Sequence, residues 1–285
     1  MVSPLRTVVV KRPEEAFGST EAIRREWAGL GYTRPPDFAR ACRDHARLVS
    51  ILESAGVEVL RMPTDANTTL DSLYVHDPVL MTDLGAVILQ TGKNARRREG
   101  PALARSLDAR GIPILGNVGG DGTAEAGDMV WLDERTLLVG RGFRTNAEGI
   151  RQLQALLGPL QVDVIHLHLP YAEGPEEVLH LMSFLSLIDR DLAVVYRRLL
   201  PVPLFEILTE RGVRLVDVPE EEYATLGANV LALAPRKVIV VRGNAVTRSR
   251  LERAGCEVSD IDGGEICLPG AGGPTCLTRP LWRAS

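Results

Sequence analysis

Five side chains in this sequence are suited to attack on a carbon held between anions: Cys276, His180, Glu125, Asp77 and Asn229, with Asp128 close by in the chain. A planar guanidinium calls for a carboxylate pair, because each carboxylate accepts two N–H bonds from its fork. A cysteine thiolate can attack the carbon so held. A histidine can protonate the departing amine and then activate water. Gly272 and Gly273 let the backbone come close to a substrate around Cys276. Taken singly, each residue has a plainer reading. Cys276 would be a core thiol, His180 a satisfied imidazole in the apolar run Val178–Leu181, Glu125 a solvated edge charge, and Asp128, after Gly127, a turn residue. Their common place in a repeat raises the chemical reading above these.

That repeat is a phrase of helix end, glycine or polar break, then alternating strand. Its strand copies are Gly56–Leu60, Gly111–Leu115, Gln161–Ile165, Gly212–Val216 and Gly255–Ser259. Their starts are 55, 50, 51 and 43 residues apart, a spacing that calls for a repeat architecture. Apolar/polar alternation with β-branched residues marks strands, and a glycine suits the left-handed residue that ends a helix. Helices are predicted before the copies, over Asp37–Ala55, Arg97–Arg110, Thr145–Leu157, Val202–Arg211 and Ala245–Ala254, with Thr145 and Asn146 as N-cap candidates for the third.

A strand pair follows each copy. Ser72–Leu80 should pair with Ala86–Gln90, Asp128–Leu132 with Thr136–Gly140, Leu179–Leu187 with Leu192–Tyr196, and Asn229–Leu233 with Lys237–Arg242. The fifth copy has Cys276–Thr278, and its missing strand would come from Thr7–Val10 at the other end of the chain. This closure predicts an α/β fold, a ring of five α/β units forming one catalytic domain over 1–285; the alternative is an open α/β sheet of similar periodicity. In a ring, equivalent loops converge on a central hole and bring Asp77, Glu125, His180, Asn229 and Cys276 together.

The bulk numbers narrow the function. Formal net charge is -4 and no run of five like charges occurs, so no basic face for nucleic acid is expected. Arg96–Arg98, with Lys93 nearby, is the single local basic cluster. No stretch approaches the ~20 apolar residues that span a membrane, and the Thr7–Val10 run is too short for a signal sequence; a cytoplasmic protein is expected. Cys42, Cys256, Cys267 and Cys276 show no CxxC spacing, which speaks against a zinc site or a disulfide framework. Gly119–Gly122 lacks the spacing of a nucleotide-binding loop and reads as a flexible rim segment. The glycine-bearing stretches 17–33 and 116–123 read as surface loops or lids.

Several stretches carry a family resemblance: Glu125–Asp128, Arg144–Gly149, Val178–Leu181, Gly272–Thr278, Leu73–Pro78 and Val10–Pro13. Over nearly the whole chain the sequence resembles the guanidino-group-modifying superfamily, the pentein fold, and within it the dimethylarginine dimethylaminohydrolases. The resemblance implies a five-fold pseudosymmetric α/β propeller with a central active site and no cofactor or metal. It implies Cys276 as nucleophile, His180 as general acid and base, and Glu125 and Asp77 as the guanidinium clamp. Arg144 and one arginine of Arg96, Arg97 and Arg98, with Arg97 and Arg98 put forward, would meet the carboxylate of a small guanidino amino acid. Asp128 and Asn229 complete the substrate-binding candidates, Asp128 more as a support for its neighbours. The implied reaction converts methylarginine or arginine to a ureido product such as citrulline plus an amine, through a thiouronium on Cys276.

Two positions depart from the pattern. His76 stands where methylarginine hydrolases often carry an acid, and Leu181-Met182-Ser183 lacks the Asp that arginine deiminases place two residues after the histidine. The substrate therefore stays open. Alternatives are an amidinotransferase using the same residues and a non-catalytic guanidine-binding protein. Oligomeric state is not written in the sequence, and a homodimer stays open.

Overall fold

The computed structural model describes residues 2–175 and 177–284. Among the described residues, fifteen strands form five three-stranded sheets. They are β1 (Leu5–Val10), β2 (Glu58–Arg61), β3 (Val79–Thr82), β4 (Gly85–Ile88), β5 (Ile114–Asn117), β6 (Met129–Trp131), β7 (Thr136–Arg141), β8 (Asp163–His168), β9 (Leu185–Asp189), β10 (Leu192–Val195), β11 (Arg214–Asp217), β12 (Leu231–Ala234), β13 (Lys237–Val241), β14 (Glu257–Ile261) and β15 (Arg279–Arg283). In the sheets β3-β4-β5, β6-β7-β8, β9-β10-β11 and β12-β13-β14, the first two strands are antiparallel and the third is parallel to the second. The fifth sheet joins the two ends of the chain: β15 pairs antiparallel with β1, and β1 pairs parallel with β2. The result is the expected five-fold pseudosymmetric propeller.

Parallel neighbours need a crossover of a dozen or more residues. Helices provide it: Phe38–Ser54 between β1 and β2, Glu99–Asp108 between β4 and β5, Ala147–Leu157 between β7 and β8, Val202–Glu210 between β10 and β11, and Ala245–Arg253 between β13 and β14. The middle strands are packed on both faces and read as unbroken apolar runs, such as Leu137–Val139, Leu192–Val195 and Val238–Val241, all buried. The third strands keep solvent on part of one face, which is why their sequences alternate.

The helix ends behave as the glycines foretell. Gly56, Gly111, Gly212 and Gly255 all have φ between 69° and 87°. The third copy has no glycine, and Gln161 takes the left-handed conformation at φ 58°. Asn146 caps its helix by accepting from the Gly149 N–H at 2.8 Å. Thr145 does not cap; its hydroxyl is turned inward.

Four stretches depart from the strand boundaries read from sequence. Ser72 lies in a tight turn (Leu70–Leu73) and β3 begins only at Val79. Leu179–Phe184 also precedes its strand, with a turn over Leu181–Ser183. Asn229 and Val230 come before β12, and Cys276–Thr278 before β15. In each case an apolar rhythm suits a strand but the backbone donors go elsewhere: the Leu181 N–H donates to Asp128 Oδ1 at 3.0 Å, and the His76 N–H to the Cys276 carbonyl at 3.2 Å. The stretch 17–33 is not a loop throughout. It holds the helix Thr20–Glu26, capped by Ser19, and buries Phe17, Ile23, Leu30 and Tyr32 in the core. Gly119, Gly120 and Gly122 are tethered as well, through Gln152 and Gln90. No helix among the described residues is long and apolar enough to cross a membrane.

Candidate active site

Asp77, Glu125, His180, Asn229 and Cys276 each stand a few residues before the first strand of a sheet, β3, β6, β9, β12 and β15 respectively. Five equivalent loops thus carry one such residue each. The side-chain ligand atoms of Asp77, Glu125 and His180 all lie within 4.8 Å of one another. Glu125 Oε2 and His180 Nε2 are 2.6 Å apart. Gly127 makes this approach possible, because a Cβ there would sit 2.6 Å from His180 Nδ1 and 2.9 Å from Asp77 Oδ1.

Backbone donors and buried cations hold the two carboxylates ionised. Asp77 accepts from the Gly127 N–H at 3.0 Å and from Arg96 Nη1 at 2.6 Å. Burial opposes its charge, but Arg96 and His180 outweigh it and hold Asp77 well below the usual carboxylate range. Glu125, fully buried, accepts at Oε1 from the N–H groups of Gly92 (2.9 Å) and Lys93 (3.4 Å). Burial works against its charge too, and the His180 contact keeps its pKa lowered. For His180, burial favours the neutral ring, but the charges of Asp77 and Asp128 and the Glu125 bond together raise it to about 9. At neutral pH the imidazole is therefore a proton donor. Arg96 engages Asp77 and His180 engages Glu125, so the three side chains that cluster here are already bound to protein partners.

Cys276 is half-buried, and its Sγ accepts from Asn229 Nδ2 at 3.3 Å. Asn229 Oδ1 in turn accepts from the Thr275 N–H at 3.1 Å, and Gly273 leaves room for this amide. Burial and the Asp77 charge push the thiol up to about 12, with Asn229, the Gly273 backbone and Arg96 pulling partly against them. The thiol is thus protonated unless a further positive charge comes near.

Asp128 lies behind His180. Its Oδ1 accepts from the Leu181 N–H and its Oδ2 from the Thr145 hydroxyl at 2.6 Å, so it supports the histidine loop instead of facing a ligand. Of the three consecutive arginines, Arg96 is the one turned inward; Arg97 and Arg98, put forward from sequence, are exposed. The reason is local: a turn over Asn94–Arg96 points Arg96 at Glu99, Asp77 and the Tyr74 carbonyl, all within hydrogen-bond reach. Arg144 is 8% exposed, its Nε has no partner, and among the described residues it makes no ion pair.

Four contributors were not put forward as site residues from the sequence. His76 is a loop anchor: its Nδ1 meets the Thr278 carbonyl at 3.0 Å, and burial, helped by Arg279, lowers it to about 3, so it is neutral. Thr145 bridges the Glu125 N–H and Asp128. Glu99 clasps Arg96, and Lys93 ties Asp71 to the Leu30 carbonyl. The sequence showed His76 only as a departure from the family pattern and Lys93 only as a nearby cation, and the capping pattern at Thr145-Asn146 pointed to the wrong role for Thr145.

Five ββαβ sheets around a Cys–His–carboxylate centre define a pentein of the guanidino-group-modifying type. The sequence matches the model of the family described as arginine deiminase over residues 66–205 and 199–283. It is 29% identical over 245 residues to N(G),N(G)-dimethylarginine dimethylaminohydrolase of Pseudomonas aeruginosa, covering 85% of this chain and 89% of that one. It is 24% identical over 311 residues to an arginine deiminase of Listeria welshimeri, covering 94% of this chain and 72% of that one. The fold superposes on a dimethylarginine dimethylaminohydrolase variant carrying an S-methyl-L-thiocitrulline adduct with a TM-score of 0.80, at 25% identity and with 96% and 99% of the two chains covered. An amidinotransferase from Microseira wollei shares the fold with a TM-score of 0.77, at 19% identity, over 100% of this chain and 96% of that one. The chain belongs to the arginine deiminase family.

Proposed function

We propose that the protein hydrolyses the guanidinium of a small arginine-like molecule, giving a ureido product and an amine by way of a thiouronium on Cys276. The observation that carries this reading is the convergence of two ionised carboxylates and a protonated His180 beside a thiol bonded to Asn229. Asp77 and Glu125 have lone pairs left for a guanidinium's N–H groups, and their charge favours a cation.

A guanidinium held there brings a positive charge close to Cys276, which lowers the thiol pKa and yields thiolate. The sulfur adds to the guanidinium carbon, forming a C–S bond. His180 gives its proton to one nitrogen, the C–N bond breaks and the amine leaves. Neutral His180 then takes a proton from water as the oxygen adds to the same carbon. The C–S bond breaks, the electron pair returns to sulfur, and the ureido product departs. A histidine that begins as an acid and ends as a base fits a pKa raised to about 9. Arg144, buried and unpaired, is the group for a substrate carboxylate.

The test is turnover of arginine, mono- and dimethylarginine, agmatine and guanidinoacetate, read by a ureido colour assay with amine detection, beside Cys276→Ser. Turnover lost in the variant supports the hydrolase. Transfer of the amidino group to an added amine, with no ureido product, would replace it by an amidinotransferase.

A further inference from the structure

Most charged groups around the site are paired, and two buried arginines, Arg144 and Arg279, make no ion pair among the described residues; Arg279 Nη1 instead donates to the His76 and Val79 carbonyls. Arg96 is bound by Asp77 and Glu99, His180 by Glu125, and Lys93 by Asp71 at 2.6 Å and the Leu30 carbonyl at 2.5 Å. Asp128 is engaged by Thr145 and Leu181. Arg144 has no ion pair among the described residues, and its buried Nε has no partner. Lys93 and Arg144 sit on adjoining loops that meet at Glu125: the Gly92 and Lys93 N–H groups donate to its Oε1, and Thr145 accepts from its N–H. The two loops touch at Gly92, where a Cβ would lie 2.8 Å from the Arg144 carbonyl oxygen.

A ligand whose guanidinium rests on Asp77 and Glu125 therefore lies against two loops that each carry a cation, Arg144 and Lys93. One is unpaired and calls for an anion, since a buried charge without a partner is costly. The other is satisfied, and it occupies the buried carboxylate of Asp71. An ammonium on the ligand's tail would find Asp71 and the Leu30 carbonyl already engaged, and a like charge on Lys93 beside it.

We propose that Lys93 is a specificity-determining residue, and that by neutralising Asp71 it makes the site select ω-guanidino carboxylates without an α-ammonium. The inference rests on the guanidine-site reading for where the guanidinium lies. Arg144 takes the carboxylate, and the Lys93–Asp71 pair removes the acceptor an amino acid would need.

Binding tests it independently of turnover. Full-length Cys276→Ser protein is titrated by calorimetry with 5-guanidinopentanoate, which is arginine with its α-amino group replaced by hydrogen, and with L-arginine and agmatine. The expected order is 5-guanidinopentanoate tightest, arginine weaker by about tenfold or more, agmatine weakest, since a charged hydrogen bond and its loss differ by that much. Adding Lys93→Met frees Asp71 and should bring arginine level with, or ahead of, the deamino compound. Asp71→Asn leaves Lys93 charged, so the preference should hold or grow; it carries the test if Lys93→Met does not fold.

Arginine binding as tightly as the deamino compound in the parent overturns the proposal. So does an unchanged ratio in folded Lys93→Met, a fall of the preference in Asp71→Asn, or no binding by any of the three. The expected order alongside wild-type protein that turns nothing over would support this assignment and remove the hydrolase reading.

Discussion

Cys276 should react far faster with a cationic amidine reagent than its pKa alone permits. With the thiol pushed up to about 12, roughly one molecule in 10⁵ is thiolate at pH 7. A unit positive charge at roughly 4 Å in a medium of effective dielectric ~20 contributes about 4 kcal/mol. At 1.36 kcal/mol per pKa unit that is about three units, or about a thousandfold more thiolate. The assay compares inactivation rates by 2-chloroacetamidine and by neutral iodoacetamide, each divided by its rate with a free thiol. The normalised ratio should approach 10³ in favour of the amidine, by the same Coulomb estimate. Asp77→Asn gives a second sign to check. Asp77 is, after burial, what raises the thiol, so its neutralisation should speed iodoacetamide while slowing chloroacetamidine. Equal normalised rates, or both reagents moving the same way in Asp77→Asn, would refute the reasoning.

Asn229→Ala removes the N–H bond to Cys276 Sγ and should slow chloroacetamidine by about ten- to a hundredfold, the usual size of a hydrogen bond to a charged group; stopped-flow inactivation reads it. Gly127→Ala places a methyl against His180 and Asp77 and should lower kcat by about a hundredfold or more through misplacement, with circular dichroism nearly unchanged. Asp128→Asn removes a negative charge that helps hold His180 up at about 9. The histidine pKa should then fall, and the alkaline limb of the pH–rate profile should move to lower pH, kcat at pH 6 changing less than kcat at pH 8. Asp128 itself has its pKa raised to about 7 by burial, so its charge, and the effect, is largest above that pH.

Much of the ring was legible because each repeat states the same rules: an amphipathic helix, a glycine at its end, a strand half open to solvent. The glycines at 56, 111, 212 and 255 marked left-handed positions that the backbone adopts. Gln161 shows that the rule is a preference, since the third copy makes the same turn with a side chain present. The strand beginnings were less legible. Leu179 to Phe184 has the apolar content of a strand, yet Asp128 and Ser183 take the backbone N–H groups of Leu181 and His180. Those partners are distant or turn-local, and periodicity does not encode them.

The site divides in the same way. Asp77, Glu125, His180, Asn229 and Cys276 occupy equivalent places in the repeat, so their meeting could be expected from the fold alone. Which of three adjacent arginines turns inward depends on one short turn and on Glu99, and composition is blind to both. The inward Thr145 looked like a cap because its sequence suits one, but the cap is Asn146. Lys93 was visible as a nearby cation; its partner Asp71, 22 residues earlier, was not.

The most direct test of covalent catalysis by Cys276 is mass spectrometry of protein quenched in acid during turnover. An amidino adduct on the Cys276 peptide, forming and decaying within the turnover time and absent in Cys276→Ser, is the predicted result. Turnover with Cys276 unmodified throughout, or undiminished in Cys276→Ser, would contradict it.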